Sequence, residues 1–139
     1  KVDISKIDEI EYMVNNVIDN FGKIDILINN AGIYRKGDVL SITEDEFREL
    51  INVNVKGVLF CTKYVAKEMI KQKKGVIINI ASEAGIVGIK NQVIYNLTKS
   101  AVISITKSCA IDLAPYGIRV NCISPGTTLT PLVEEAIKN

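Results

Sequence analysis

The chain has 139 residues, enough for one domain, and its 47% hydrophobic content is that of a packed core rather than a disordered segment. Lys+Arg 17 against Asp+Glu 16 leave a formal charge of +1 spread along the whole length, which disfavours nucleic acid or an anionic membrane surface as a partner. No apolar run approaches the ~18 residues of a membrane span, and Lys1-Val2-Asp3-Ile4 does not resemble a secretion signal, so a cytoplasmic location is expected.

Ser5 opens an amphipathic stretch in which Ile7, Ile10, Val14, Val17, Ile18 and Phe21 recur at helical spacing, with Gly22 as a left-handed terminator. Ile24-Asp25-Ile26-Leu27-Ile28 then reads as a strand buried on both faces, which stops at Asn29-Asn30-Ala31-Gly32. Thr43-Glu44-Asp45-Glu46 has the capping-box pattern and opens one long helix that reaches the lysine-rich stretch Lys67 to Lys74, where Gly75 releases the chain. Val76 to Ile80 is a second buried strand ending at Ala81-Ser82. A helix is predicted from Val93 to Leu113, then Pro115 and Gly117 break the pattern and Ile118 to Ile123 forms a third strand. Strands alternating with helices predict an α/β domain with a parallel sheet and right-handed crossovers. Cys61, Cys109 and Cys122 are too scattered for a disulfide framework, and without histidine they offer no metal-ligand spacing, so no metal is expected.

Open parallel sheets place ligands at the C-terminal ends of their strands, and all three ends here carry polar or small residues: Asn29 to Gly32, Ser82, and Ser124-Pro125-Gly126. The first loop alone reads equally as turn chemistry. Tyr95 and Lys99 lie four residues apart in a predicted helix and so rise from one face, with the ammonium in reach of the phenol. In a chain this rich in lysine, one such pair also arises by accident.

Order and spacing together are more specific. Asn54 lies 24 residues after Asn30, Ser82 lies 28 after Asn54, and Tyr95 lies 13 after Ser82, with Lys99 and Pro125-Gly126 following. Asn-Asn-Ala-Gly, Asn, Ser, Tyr-x-x-x-Lys and Pro-Gly in this succession resemble the short-chain dehydrogenase/reductase family. The likeness extends to Asp3-Ile4, to Ile118-Arg119-Val120-Asn121 and to the stretch from Thr127 to Pro131. Within the family, the pattern is similar to that of 3-oxoacyl-[acyl-carrier-protein] reductases and glucose 1-dehydrogenase-like members.

The resemblance implies a Rossmann-like, doubly wound parallel sheet and a reversible hydride transfer between NAD or NADP and a carbonyl or secondary alcohol of sugar, polyol or 3-oxoacyl type. Tyr95 would be the general acid/base. Lys99 would lower its pKa and also hold the nicotinamide ribose. Ser82 would orient the substrate oxygen and share its developing charge. Asn54 would distort its helix and hold a water that connects to the lysine. Asp3 and Ile4 would flank the adenine, and Asn30, Ala31 and Gly32 would line its ribose side. Pro125, Gly126, Thr128 and Thr130 would secure the carboxamide. The two long helices, Thr43 to Lys73 and Val93 to Leu113, would pair subunits into a homodimer or homotetramer.

Two features depart from the family pattern. The glycine-rich turn that binds the pyrophosphate has no match here, so the expectation is a partial NAD(P)-binding domain over residues 1–139, the strand 4-5-6 half of a domain of about 250 residues. The same lack leaves a non-catalytic binding or oligomerisation module as an alternative. Ala81-Ser82-Glu83 also has Ala where many members have Ser, and Glu83 adds a carboxylate that reads either as solvated charge or as a contact for a polyol hydroxyl.

Overall fold

Helices and strands alternate through residues 1–128, the part of the chain that this computed structural model describes. Helix α1, Ile7–Phe21, buries Ile10 and Val14 and ends at Gly22, whose positive φ of 75° lets its amide reach the Ile18 carbonyl. Ser5 is not its cap. Lys6 takes that position, while the Ser5 amide and hydroxyl both donate to the Asp3 carboxylate at 3.0 and 2.7 Å, a local turn that competes with capping.

Strand β1, Ile26–Asn29, leads through a long loop to helix α2, Glu44–Leu50. The predicted capping box is present: the Glu46 amide donates to Thr43 Oγ1 at 3.2 Å, and the Thr43 amide donates to the Glu46 carboxylate at 3.0 Å. The single long helix expected after it is instead interrupted, because a π-helical segment, Ile51–Gly57, separates α2 from α3, Val58–Gln72. Widening the turn lets Asn54 reach out to the loop after β1 and brings Gly57 against Ile4, where a Cβ would stand 2.8 Å from the Ile4 side chain.

Lys73, not Gly75, adopts the left-handed conformation that ends α3. Gly75 opens strand β2, Gly75–Ile80, where a Cβ would overlap the sulfur of Met69. Helix α4, Val93–Leu113, and strand β3, Ile118–Ile123, have the bounds the sequence predicts.

The sheet is parallel in the order β1-β2-β3, with Ile26 opposite Val76 and Gly75 opposite Ile118. Side chains alternate across it, so Leu27 and Asn29, Ile77 and Asn79, and Ile118 and Val120 share one face. Against that face α1, α3 and α4 bury a core of Val14, Val65, Ala66, Met69, Ile77, Ile118 and Val120, and a smaller cluster of Val58, Ala81 and Val102 continues it toward the strand ends. Each Val, Ile or Met among these contributes roughly 1.5–3 kcal/mol when fully buried, so the packing defines this face. The opposite face is not covered by the described residues: Ile26, Ile28 and Ile123 are 60%, 58% and 53% exposed. The expectation that β1 is buried on both faces is therefore not met. Two crossovers of the same hand, progressing in one direction along the sheet, put both α3 and α4 on the same side.

Candidate active site

The three strand ends are tied together by backbone hydrogen bonds. The Ala81 amide donates to the Ile123 carbonyl at 2.8 Å and the Glu83 amide to the Pro125 carbonyl at 3.0 Å, which joins the loops after β2 and β3. The loop after β1 is stapled to the start of α4, since the Gly37 amide donates to Asn91 and the Val93 amide to the Gly37 carbonyl. Tyr95 sits in the first turn of α4, so this staple fixes where it stands.

Lys99, one turn on, is buried at 6% exposure and donates to the Ile80 carbonyl, the last of β2, at 2.9 Å. Its ammonium lies 5.6 Å from the centroid of the Tyr95 ring. Ser82 follows β2 and caps a short 3-10 turn, Glu83–Gly85, by accepting the Ala84 amide at 3.2 Å, which leaves its own hydroxyl proton available to donate. That turn packs directly on α4: a Cβ at Gly85 would stand 2.7 Å from the Lys99 carbonyl, and the Ser100 hydroxyl donates to the Gly85 carbonyl at 3.0 Å. Ser82, Tyr95 and Lys99 are thus assembled from strand end and helix without a flexible link.

Asn54 is 1% exposed and acts as a clamp. Its Oδ1 accepts the Ile33 amide and its Nδ2 donates to the Ile33 carbonyl, both at 2.8 Å, while Nδ2 also donates to Thr98 Oγ1 at 3.2 Å. Thr98 in turn donates to the Tyr95 carbonyl at 2.9 Å. The helix distortion expected at Asn54 is present. Its side chain is engaged with protein on both polar atoms, so it joins the loop after β1 to α4.

Partial burial raises the Tyr95 phenol above its ordinary pKa, the Ser82 hydroxyl opposes this by hydrogen bonding, and Tyr34 adds to the rise. Burial lowers Lys99. The expectation that Lys99 depresses Tyr95 is not met here. The ammonium stands over the ring and is hydrogen-bonded to Ile80, with no bond to the phenol oxygen among the described residues.

The short chain dehydrogenase family profile matches residues 1–139, the whole chain. This chain belongs to the short-chain dehydrogenase family. It is 40% identical over 134 residues to a 3-oxoacyl-[acyl-carrier-protein] reductase of Synechocystis sp., covering 96% of this chain and 54% of the relative. Among solved structures it is similar to levodione reductase, with TM-score 0.96, 38% identity and coverage of 99% of this chain and 54% of that one. It is also similar to an NAD+-bound xylitol dehydrogenase, with TM-score 0.93, 39% identity, and coverage of 98% and 53%. The chain spans about half the length of the relatives it matches. The neighbours confirm the Rossmann-like α/β assignment.

Of the residues that family resemblance assigns to the cofactor, Asn30, Ala31 and Gly32 follow the end of β1, and Pro125, Gly126 and Thr128 follow the end of β3. Asn30 and Ala31 are exposed just beyond β1, and Gly32 lies deeper, where a Cβ would stand 3.4 Å from Asn54 Oδ1 and 3.7 Å from Lys99 Nζ. Ile4 packs on Gly57 in the π-helical segment, and Asp3 is exposed, its carboxyl lowered by hydrogen bonds from Ser5. Pro125 is joined to the Ser82 turn, a Cβ at Gly126 would stand 3.3 Å from the Glu83 carboxylate, and Thr128 donates to the Gly126 carbonyl at 3.3 Å. Glu83 itself is exposed. Thr130, like Pro131, lies outside the described residues.

Sequence reasoning missed a buried polar ladder beneath the site. Asn29 donates to Asn79 at 2.8 Å and to Thr62 at 3.1 Å, and Asn79 donates to Thr106 at 2.9 Å, which links β1, β2, α3 and α4. The available signal was two asparagines at matching places in two apolar strands. Tyr34 was missed as well: its ring meets the Tyr95 ring edge to face, with centroids 5.2 Å apart.

Proposed function

We propose that the chain supplies the catalytic half of an NAD- or NADP-dependent oxidoreductase that interconverts a carbonyl compound and a secondary alcohol. The observation that carries this reading is the convergence of Ser82, Tyr95 and Lys99 at the end of β2, with the Lys99 ammonium bonded to Ile80 and set against the Tyr95 ring. On this reading residues 1–139 form part of one NAD(P)-binding domain, and the chain acts on a small carbonyl or alcohol of sugar, polyol or 3-oxoacyl type. The Synechocystis relative named a 3-oxoacyl-[acyl-carrier-protein] reductase and the neighbour named a xylitol dehydrogenase support that range.

The residues present fit a nicotinamide nucleotide. Lys99 has three N–H donors and engages one with Ile80, and the absence of a side chain at Gly32 keeps open the space within 3.7 Å of its ammonium. When bound, the nucleotide supplies the two-electron change at the substrate carbon.

In the reducing direction, Tyr95 gives its phenolic proton to the carbonyl oxygen as that oxygen becomes a hydroxyl. The raised pKa keeps this proton in place at neutral pH, which suits a donor. Ser82 donates a second hydrogen bond to the same oxygen, and the two donors fix its position. Lys99 supplies a buried positive charge beside the phenol and donors for a ribose. In the oxidising direction Tyr95 must first lose its proton, so that direction needs higher pH. Leu97 and Ile111 of α4 are 46% and 75% exposed, in keeping with a homodimer or homotetramer formed through the long helices.

The test is to titrate the full-length protein with NADH and NADPH, following nicotinamide fluorescence, and to assay it against sugars, polyols and 3-oxoacyl thioesters. Saturable binding with turnover of at least one carbonyl class is expected. No binding of either nucleotide would favour the module without catalysis.

A further inference from the structure

We propose that Tyr34 is a positioning residue for Tyr95, its ring serving as the wall that holds the acid/base ring in one orientation. The inference rests on the function proposed above. Tyr95 stands in the first turn of α4, and the N-cap residue Gln92 makes no side-chain hydrogen bond to that turn. Two neighbours restrain the ring, Lys99 one turn on in the same helix and Tyr34 from the loop after β1. Lys99 lies 5.6 Å from the ring centroid, and the Tyr34 ring stands at 5.2 Å with an interplanar angle of 80°, the edge-to-face arrangement aromatic pairs favour.

Tyr34 can act as a wall because its own backbone is held on both sides. Immediately before it, Ile33 is gripped at amide and carbonyl by Asn54, each at 2.8 Å. Three residues after it, Gly37 is stapled to Asn91 and Val93 at the start of the helix that bears Tyr95. The Tyr34 carbonyl also accepts the Arg35 guanidinium at 3.0 Å, and Arg35 pairs with Glu49 of α2 at 3.1 Å. The π-helical segment, the loop that bears Tyr34 and the helix that bears Tyr95 therefore form one closed hydrogen-bonded circuit. Among the described residues the Tyr34 hydroxyl makes no hydrogen bond, so the ring rather than the oxygen carries the contact. Burial raises the pKa of the partly buried phenol, so it stays neutral at pH 7 and meets Tyr95 through its ring.

The experiment compares Tyr34→Leu, which keeps apolar bulk without a ring, with Tyr34→Phe, which keeps the ring without the hydroxyl. Both are made in the full-length enzyme, with Tyr95→Phe as reference, and kcat, KM and nucleotide Kd are measured for reduction of one carbonyl substrate. Tyr34→Leu is expected to lower kcat about five- to tenfold with KM and nucleotide Kd changed less than about twofold, and Tyr34→Phe to restore kcat to within about twofold of the parent. Unchanged kcat in Tyr34→Leu, a change confined to KM, or an equal loss in Tyr34→Phe would each overturn the proposal. An inactive Tyr95→Phe beside a fully active Tyr34→Leu removes this inference alone, whereas an active Tyr95→Phe removes the reading of the site beneath it.

Discussion

Partial burial disfavours the Tyr95 phenolate more than the Ser82 hydroxyl favours it, which moves the phenol's pKa further above neutral than its ordinary value. The consequence has a sign in each direction of reaction. On the proposed function, reduction by the full-length protein needs protonated Tyr95, so its kcat should stay flat through neutral pH and fall only as pH rises through the raised pKa. Oxidation needs the deprotonated form and should climb over the same alkaline range. Profiles of kcat against pH in both directions check this, and a reduction rate that rises with alkalinity would contradict it. Ser82 is held by the Ala84 amide so that its proton is free to donate, and Ser82→Ala should lower kcat roughly 100-fold or more while leaving nucleotide Kd unchanged. Below the site, Asn79 joins Asn29 to Thr106. Asn79→Ala strands buried polar partners and should cost about 1–3 kcal/mol of unfolding free energy, measured by denaturant titration. Ser82, Tyr95 and Lys99, the proposed catalytic set, were read from a pattern of spacing. Tyr34 and Asn79 were not, because what they do depends on the neighbour across a loop or a strand, and no short-range pattern reports that.

Among the elements, α4 and β3 were readable to their bounds because helical periodicity, Pro115 and Gly117 mark both ends of the turn between them. The break between α2 and α3 was invisible to periodicity, since Leu50, Val58 and Val65 continue an apolar pattern through it. What breaks the helix is tertiary: Asn54 reaches Ile33, and Gly57 admits Ile4. Ser5 misled for a related reason, its hydroxyl being claimed by Asp3 before the helix begins. The turn Glu83–Gly85 is the other element that places the chemistry, because it rests on the α4 backbone at Lys99 with no room for a side chain at Gly85. Gly85→Ala should push Ser82 away from Tyr95 and lower kcat at least about tenfold. A melting temperature near that of the parent would place the loss in geometry rather than folding, and full activity in this variant would contradict the close contact.

At the scale of the molecule, the helices cover one face of the sheet and the described residues leave Ile26, Ile28 and Ile123 exposed on the other. The apolar run at β1 correctly signalled a parallel strand, but its own residues say nothing about which face each crossover covers. An uncovered sheet of isoleucines with an open edge binds apolar probes and other copies of itself. Residues 1–139 expressed alone should therefore bind anilinonaphthalene sulfonate and sediment with increasing apparent mass as concentration rises. Ile26→Lys combined with Ile28→Lys should reduce both, and a monomeric chain without dye binding would contradict the exposed face. The uncovered face lies opposite α4, which carries both Tyr95 and Lys99, so the candidate site is built on the packed side. The most direct measurement on the account as a whole is kcat for carbonyl reduction by full-length Tyr95→Phe, taken beside its nucleotide Kd. A loss of at least about 100-fold in kcat with Kd unchanged is the expected result, and a variant that keeps turning over at the parent rate would contradict it.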